Sequence, residues 1–361
     1  MAGIQRRIAR AINTAAHPRP VITAAKDKRV RKRFSRRTWT LPNSEATAAE
    51  AAKVTVVVPA YRAERTITRT LDSILAEPAQ ARIVVVIDGA FDGTSAKVSD
   101  YPQDRVLVID RRENWGASRT RNQGLAQATT PYVMFVDADD FVEDGLIAGL
   151  QAVMQDQGVD IGFGPMQILY ERESRRLPRF MPNFTSPADA FRKWHGQGIY
   201  VNPTSVMWRT DFIRSIGGWD PEITRNDDGE LVMRAILKGA RIAVSAQGQG
   251  VYVQHSASTM NHRTDTMDSM VRANAKLVAI DPSAVGDSLQ REVCAAHALT
   301  VAWNAYLAGR ADVGAAAMAQ SRALGSATWT APLLLRTLVG FVGMKQAAAL
   351  GRLAKRLRPQ P

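Results

Sequence analysis

The chain has 361 residues, of which 45% are hydrophobic and 22% charged, with a formal net charge of +13. That balance excludes a disordered or collagen-like chain and leaves an ordinary globular protein of one large domain or two. Cys294 is the only cysteine, which excludes a disulfide framework and a cysteine-ligated metal and fits a reducing, cytoplasmic compartment.

Residues 1–52 form a basic extension, expected to be partly disordered or an amphipathic helix. Residues 1–42 carry twelve Lys or Arg against the single acid Asp27. Ile4, Ile8 and Ile12 recur every four residues among Arg6, Arg7 and Arg10, a helical spacing. No continuous apolar run occurs among the first 30 residues, so no secretory signal peptide is expected.

From residue 54 the pattern alternates between strand and helix. "VTVVV" (54–58), "IVVVI" (83–87), "VLVI" (106–109) and "YVMFV" (132–136) are short β-branched runs typical of buried parallel strands. Between the first two, Ile67, Leu71, Ile74 and Leu75 share one helix face. "GASRTRNQGLAQA" and "DGLIAGLQAVMQ" read as further crossover helices. The alternation predicts an α/β fold, a Rossmann-like, mostly parallel twisted sheet with flanking helices. Ligands of such sheets bind outside the carboxyl ends of the strands. Here those ends are followed by "PAYRAE", "DGAFDGT", "DRRENWG" and "DADD", which collects polar, acidic and glycine residues at one edge.

Residues 165–200 lose clear periodicity and are expected to be a loop-rich insertion. Strands are expected at 205–209, 241–245 and 251–255, with "DGELVMRAILKG" a helix between the first two. Beyond 265 the chain is alanine-rich and expected to be helical. Its longest apolar run, "APLLLRTLVGFVGM", is interrupted by Arg336 and falls short of a ~20-residue membrane span. Near the end, Leu350, Leu353 and Leu357 share a helix face among Arg352, Lys355 and Arg356, and residues 334–361 carry six cations and no acid. Basic amphipathic helices of this kind lie on anionic membrane surfaces, so a peripheral location on the inner face of the plasma membrane is an expectation for the basic termini. Nucleic acid is the less favoured partner, because "KDKRVRKRFSRR" has only Phe34 and Trp39 as nearby aromatics.

The densest chemistry lies in "FVDADD" (135–140). Asp137 and Asp139 form D-x-D at a strand end, and two carboxylates there can share one hard divalent cation, Mn2+ or Mg2+, with substrate phosphates. The same pattern also fits a solvated, helix-capping turn, or a phosphatase with an aspartyl nucleophile.

Five segments together resemble the family 2 glycosyltransferases: "VVVPAYRAERTITRTLDSIL", "VVVIDGAFDGTS", "ENWGASRTRNQGLAQA", "YVMFVDADD" and "GGWDPEITRNDDGELVMRAILKG", in order and at similar spacing over residues 53–260. The resemblance implies the GT-A fold and an inverting transfer of sugar from a nucleotide-diphosphate sugar donor to a glycan or lipid-linked acceptor. The pathway it implies is cell-surface polysaccharide or glycolipid synthesis. It divides the chain into a catalytic domain at 53–264 (a nucleotide-binding half, 53–140, and an acceptor half, 141–264) and a helical C-terminal region at 265–361.

By the same resemblance, Pro59, Tyr61 and Glu64 belong to the first nucleotide-binding loop, and Asp88 accepts a hydrogen bond from the base. Ile87 and Ala90 depart from the usual D-D-G-S pattern at that point. Asn114, Gly116, Arg119, Arg121 and Asn122 match the segment beside the nucleotide, Asp137 the acid near the ribose, and Asp139 the metal ligand, with His255 as a late partner of metal or diphosphate. Asp228 takes the place of the general base, beside Asp227, which stands where the family usually has Glu and is expected on the acceptor side. Trp194, Thr204, Ser205 and Trp219 are expected to line the acceptor pocket. Two other classes remain at this stage: a nucleotide-sugar or nucleic-acid binding protein without catalysis, and a metal-dependent nucleotidyltransferase.

Overall fold

The structure is a computed structural model that describes residues 52–255, 267–325, 331 and 333–356. The basic N-terminal stretch and Leu357 lie outside the described residues.

Seven strands form the main sheet. They are β1 (Val54–Ala60), β2 (Ala81–Asp88), β3 (Val106–Arg111), β4 (Tyr132–Phe135), β6 (Ile161–Phe163), β9 (Val206–Arg209) and β10 (Ile242–Val244), in the order β10-β6-β9-β4-β1-β2-β3. The four expected strands are parallel neighbours, whereas β9 runs antiparallel to both β4 and β6. Side-chain alternation along β1 builds a core on each face. Val54, Val56 and Val58 pack with α1 (Ile67–Leu75) and α4 (Leu146–Gln157), while Val57 packs on the other side with α3 (Ala117–Ala126) and α7 (Asp227–Leu237). The short helices α2 (Thr94–Ser99), α5 (Pro187–Phe191) and α6 (Thr210–Ser215) lie between these elements.

A second sheet has the order β5 (Phe141–Glu143), β11 (Gln249–Gln254), β7 (Met166–Tyr170) and β8 (Arg175–Arg176). It corrects the expectation of a loop-rich insertion at 165–200, because β7 pairs in parallel with β11 from Gly250↔Met166 to Gln254↔Tyr170. Pairing across about 84 residues leaves no trace in local periodicity. Further on, α5 continues into a single π-helical turn, Arg192–Gly196.

The C-terminal region is helical as expected: α8 (Met267–Val278), α9 (Asp287–Leu307), α10 (Ala311–Leu324), α11 (Leu333–Val342) and α12 (Met344–Arg356). Trp303, Tyr306, Val313, Ala317 and Ala347 form its core. It joins the sheet-bearing part through His297 of α9, which stacks on His195 of the π-helical turn at 3.8 Å between ring centroids. Asn274 of α8 accepts from His195 Nε2 at 2.9 Å.

Helix α3 packs closely on β1 at Gly124, where an added Cβ would lie 2.2 Å from Val57 Cγ1. Gly124→Ala is therefore expected to lower the melting temperature. Overpacking costs about 1–3 kcal/mol and outweighs the ~1 kcal/mol gained from helix propensity. Thermal denaturation followed by circular dichroism checks this.

Candidate active site

Residues 137–140 leave β4 in a tight turn, with Asp140 N donating to Asp137 O at 2.9 Å. Helix α1 ties down the turn's carbonyls. Thr70 Oγ1 donates to Ala138 O and Asp140 O at 3.0 and 2.6 Å, and Arg69 Nη2 donates to Asp139 O at 2.9 Å. Asp140 points inward and is fully buried. Its Oδ1 accepts from Val253 N at 2.9 Å and its Oδ2 from Thr204 Oγ1 at 3.0 Å. Burial, then the charges of Asp139 and Asp137, push its pKa well above the usual range. Asp140 is thus a structural acid that joins the turn to β11 and to the 203–205 turn.

Asp139 and Asp137 remain on the open side, with side chains 38% and 31% exposed. Asp139 Oδ2 lies 2.7 Å from Nε2 of His255, which follows β11 directly. Burial and Asp137 raise the Asp139 pKa, and His255 opposes them. The turn places the two expected metal residues side by side, although 116 positions separate them in sequence.

Asp137 is held by Arg121 of α3, whose Nη2 lies 2.7 Å from Asp137 Oδ1. The other arm of the guanidinium, Nη1, lies 3.0 Å from Asp227 Oδ2 at the start of α7. Its plane sits over the Trp219 ring, with Cζ 4.3 Å from the centroid. Burial disfavours the Arg121 charge, but Asp137 and Asp227 outweigh it and raise the pKa. The neighbouring Asp228 lacks such a cation, so burial and the adjacent Asp227 push its pKa up to about 7. A carboxylate poised there is suited to accept a proton near neutral pH.

Pro59 and Tyr61 lie at the end of β1, with Tyr61 48% exposed. Glu64 Oε2 accepts from Gly93 N at 3.2 Å, linking the loops after β1 and β2. Asp92 accepts from the backbone and hydroxyl of Thr94 at 3.1 and 2.6 Å, a turn-shaping role. Asp88 is buried, and its two oxygens accept from Trp115 N and Gly116 N, each at 2.9 Å. Arg111 Nη2 lies 3.0 Å from Asp88 Oδ1.

Three expected acceptor residues are corrected. Trp194 is 5% exposed and packs among Phe163 and Phe184. Trp219 is 2% exposed, meets Phe135 edge to face at 5.4 Å and lies under Arg121. Thr204 is fully buried against Asp140. Large aromatic rings fill cores as readily as they stack on sugars, and a hydroxyl beside a buried acid is taken up by it. Ser205 is buried too, donating to Pro165 O.

Sequence reasoning passed over Arg111, Trp115 and Tyr200. Tyr200 is 39% exposed, and its pKa is raised by burial and then by the Asp228 charge. The only signal for Arg111 and Trp115 was their place in "DRRENWG" at a strand end.

Residues 55–215 match the family model described as Glycosyl transferase family 2. Over those residues the chain is similar to the family 2 glycosyltransferases. It is 29% identical over 234 residues to the succinoglycan biosynthesis protein ExoO of Rhizobium meliloti, which covers 61% of this chain and 66% of that protein. The chain thus spans just under two thirds of that relative's length. Among solved structures it resembles S. aureus TarS 1–349 in complex with UDP-GlcNAc, with TM-score 0.64 and 20% identity over 84% of this chain and 91% of that one. It also resembles the mannosyltransferase PcManGT from Pyrobaculum calidifontis in complex with GDP-Man and Mn2+, with TM-score 0.54 and 18% identity over 98% and 99% of the two chains. The fold is GT-A.

Replacing Arg121 by Met would leave Asp137 and Asp227 facing each other without a cation. Loss of one partner of a buried pair costs about 3–5 kcal/mol, so the melting temperature is expected to fall sharply, with part of the loss recovered in Arg121→Met/Asp227→Asn. Thermal denaturation of the two variants measures both effects.

Proposed function

We propose that this glycosyltransferase moves a sugar, with inversion at the anomeric carbon, from a nucleotide-diphosphate sugar to an acceptor hydroxyl, with a divalent cation, Mn2+ or Mg2+. The observation that carries the proposal is the placement of Asp228, an acid with its pKa raised to about 7, on the helix that Arg121 ties to the acidic turn. An inverting displacement needs one base on the acceptor side, and Asp228 takes the acceptor proton as the oxygen attacks. Tyr200, partly exposed, is near enough for the Asp228 charge to raise its pKa.

The donor's diphosphate needs charge compensation as it leaves. Asp139 Oδ2 and His255 Nε2, 2.7 Å apart, offer the oxygen and imidazole donors that suit Mn2+, and a cation held there would supply Lewis-acid stabilisation of the leaving group. Among the described residues no group of three or more His, Cys, Asp or Glu forms a complete cage. Such a set is suited to a cation that completes its coordination with substrate phosphates and water. Pro59, Tyr61, Glu64 and Asp88 border the nucleotide in this reading, within a nucleotide-binding half at 53–140. Residues 141–264 form the acceptor half and 265–361 the helical region.

Relatives named for succinoglycan biosynthesis and for poly(ribitol-phosphate) β-N-acetylglucosaminyl transfer support a cell-surface polymer or a lipid-linked glycan as acceptor. A peripheral position on the inner face of the plasma membrane fits the C-terminal end. Leu350 and Leu353 of α12 are 52% and 55% exposed in a segment with no acid, and no described helix is long and apolar enough to cross a membrane.

Calorimetric titration with UDP, GDP and dTDP is expected to reveal Mn2+-dependent binding of one nucleotide, lost in Asp139→Ala. Failure of all three with folded protein would remove the donor assignment. For Asp228 the charged form is the active one, so kcat/KM is expected to fall tenfold per pH unit below about 7 and to level off above it. Asp228→Asn is expected to lower the plateau rate above about pH 7 by about 100-fold or more and to abolish the slope below it. A flat pH profile would remove Asp228 from the role of base.

A further inference from the structure

Trp115 is an exposed aromatic held in place by an unusual number of contacts. Its backbone N–H donates to Asp88 Oδ1, and that of Gly116 to Asp88 Oδ2, both at 2.9 Å. Asn114 Nδ2 donates to Asp88 O at 3.1 Å. The loop lies so close to the end of β2 that a Cβ on Gly89, whose φ is +66°, would come within 2.6 Å of Asn114 N. The indole is fixed as well. The Arg111 guanidinium carbon sits 3.7 Å from the ring centroid, Arg111 Nη1 donates to Gln123 Oε1 at 2.7 Å, and Trp115 Nε1 donates to Glu113 Oε2 at 3.3 Å.

Despite these constraints Trp115 is 51% exposed. It forms one wall of an open hollow of about 380 Å³ shared with Arg119, Asn122 and Gln123. A rigid, flat, half-solvated indole at the carboxyl edge of a parallel sheet is a stacking surface prepared before any ligand arrives. Rigidity matters because it removes the ordering cost of binding. The hydrogen bonds of Asp88 bear on the same point. Both of its oxygens already serve the 114–116 loop, and Ile87 and Ala90 offer no polar side chain for a base edge.

We propose that the open face of Trp115 is the stacking platform for the nucleobase of the donor, with Asp88 and Arg111 as the positioning residues that fix it. The proposal rests on the nucleotide-sugar reading of the site and deepens it. Base recognition here depends on a ring face more than on a base edge. Every nucleobase has such a face, so the stack itself supplies affinity, and the choice of one nucleotide over the others falls to contacts elsewhere in the site.

The test uses the full chain with Mn2+ and titrates inorganic pyrophosphate and whichever of UDP, GDP and dTDP binds the wild type most tightly. Wild type, Trp115→Ala and Trp115→Phe are compared. The Ala variant is expected to bind the nucleotide about tenfold or more weakly, the scale of one lost base–aromatic stack, with pyrophosphate binding unchanged. The Phe variant is expected to recover most of the loss, because it keeps an aromatic face. Equal nucleotide binding by wild type and Trp115→Ala overturns this proposal alone. Parallel loss of nucleotide and pyrophosphate overturns it too, since Trp115 would then act only by holding the loop. A wild type that binds pyrophosphate but no nucleotide overturns the donor reading together with the platform.

Discussion

The active-site region hangs on one buried guanidinium. Arg121 reaches from α3 to Asp137 in the turn after β4 and to Asp227 at the start of α7, while its face rests on Trp219. Three parts of the chain that do not follow one another are thereby held in a single geometry. A lysine could not do this, because its point charge has no planar fork to serve two carboxylates and no face to lie on an indole. Helix α3 is itself held by Gly124 against Val57 and by Asn122, whose amide both donates to Trp219 O and accepts from Trp219 N. The strands thus transmit their positions through α3 to the acids.

Around that cation, five carboxylates lie close together and each is treated differently. Asp137 and Asp227 share Arg121. Asp139 pairs with His255. Asp140 is buried where a hydroxyl and a backbone N–H satisfy it. Asp228 feels Arg121 only at a distance, and burial and Asp227 raise its pKa. Such separation of environments is how carboxylates of one chemical type come to hold charge in one place and accept a proton in another. The second sheet is part of the arrangement, since β11 supplies the Val253 N–H to Asp140 and then delivers His255 to Asp139.

The C-terminal helices bear on the site from outside. Ser269 of α8 accepts from the backbone N–H groups of Thr224 and Arg225, just ahead of Asp227 and Asp228. The stacked His195 and His297 join α9 to the π-helical turn that precedes Tyr200. Both rings are buried, and burial holds their pKa values below the usual range, to about 4 for His195, so the pair packs as neutral rings at physiological pH. A region without evident chemistry in its sequence thus buttresses the segments that carry Asp227, Asp228 and Tyr200.

The sequence by itself determined the parallel strands β1 to β4 and their crossover helices, because β-branched runs and 3.6-residue spacing are local signals. It also identified the edge of the sheet that carries the acids, and the residues Arg121, Asp137, Asp139, Asp227, Asp228 and His255 that the fold brings together. Tertiary structure decided what pairing at a distance controls. The insertion at 165–200 became a strand only because β11 was there to pair with it. Trp194, Trp219 and Thr204 went into the interior, since a side chain's solvent exposure is set by what packs against it and not by its type. The same holds for protonation and for aromatic faces. Asp140 and Asp228 carry identical carboxyls in similar acidic runs, yet one is a buried strut bonded to Thr204 and Val253 and the other an acid whose pKa burial raises to about 7. Trp115, unremarked in its own segment, was left open by the loop that Asp88 pins in place.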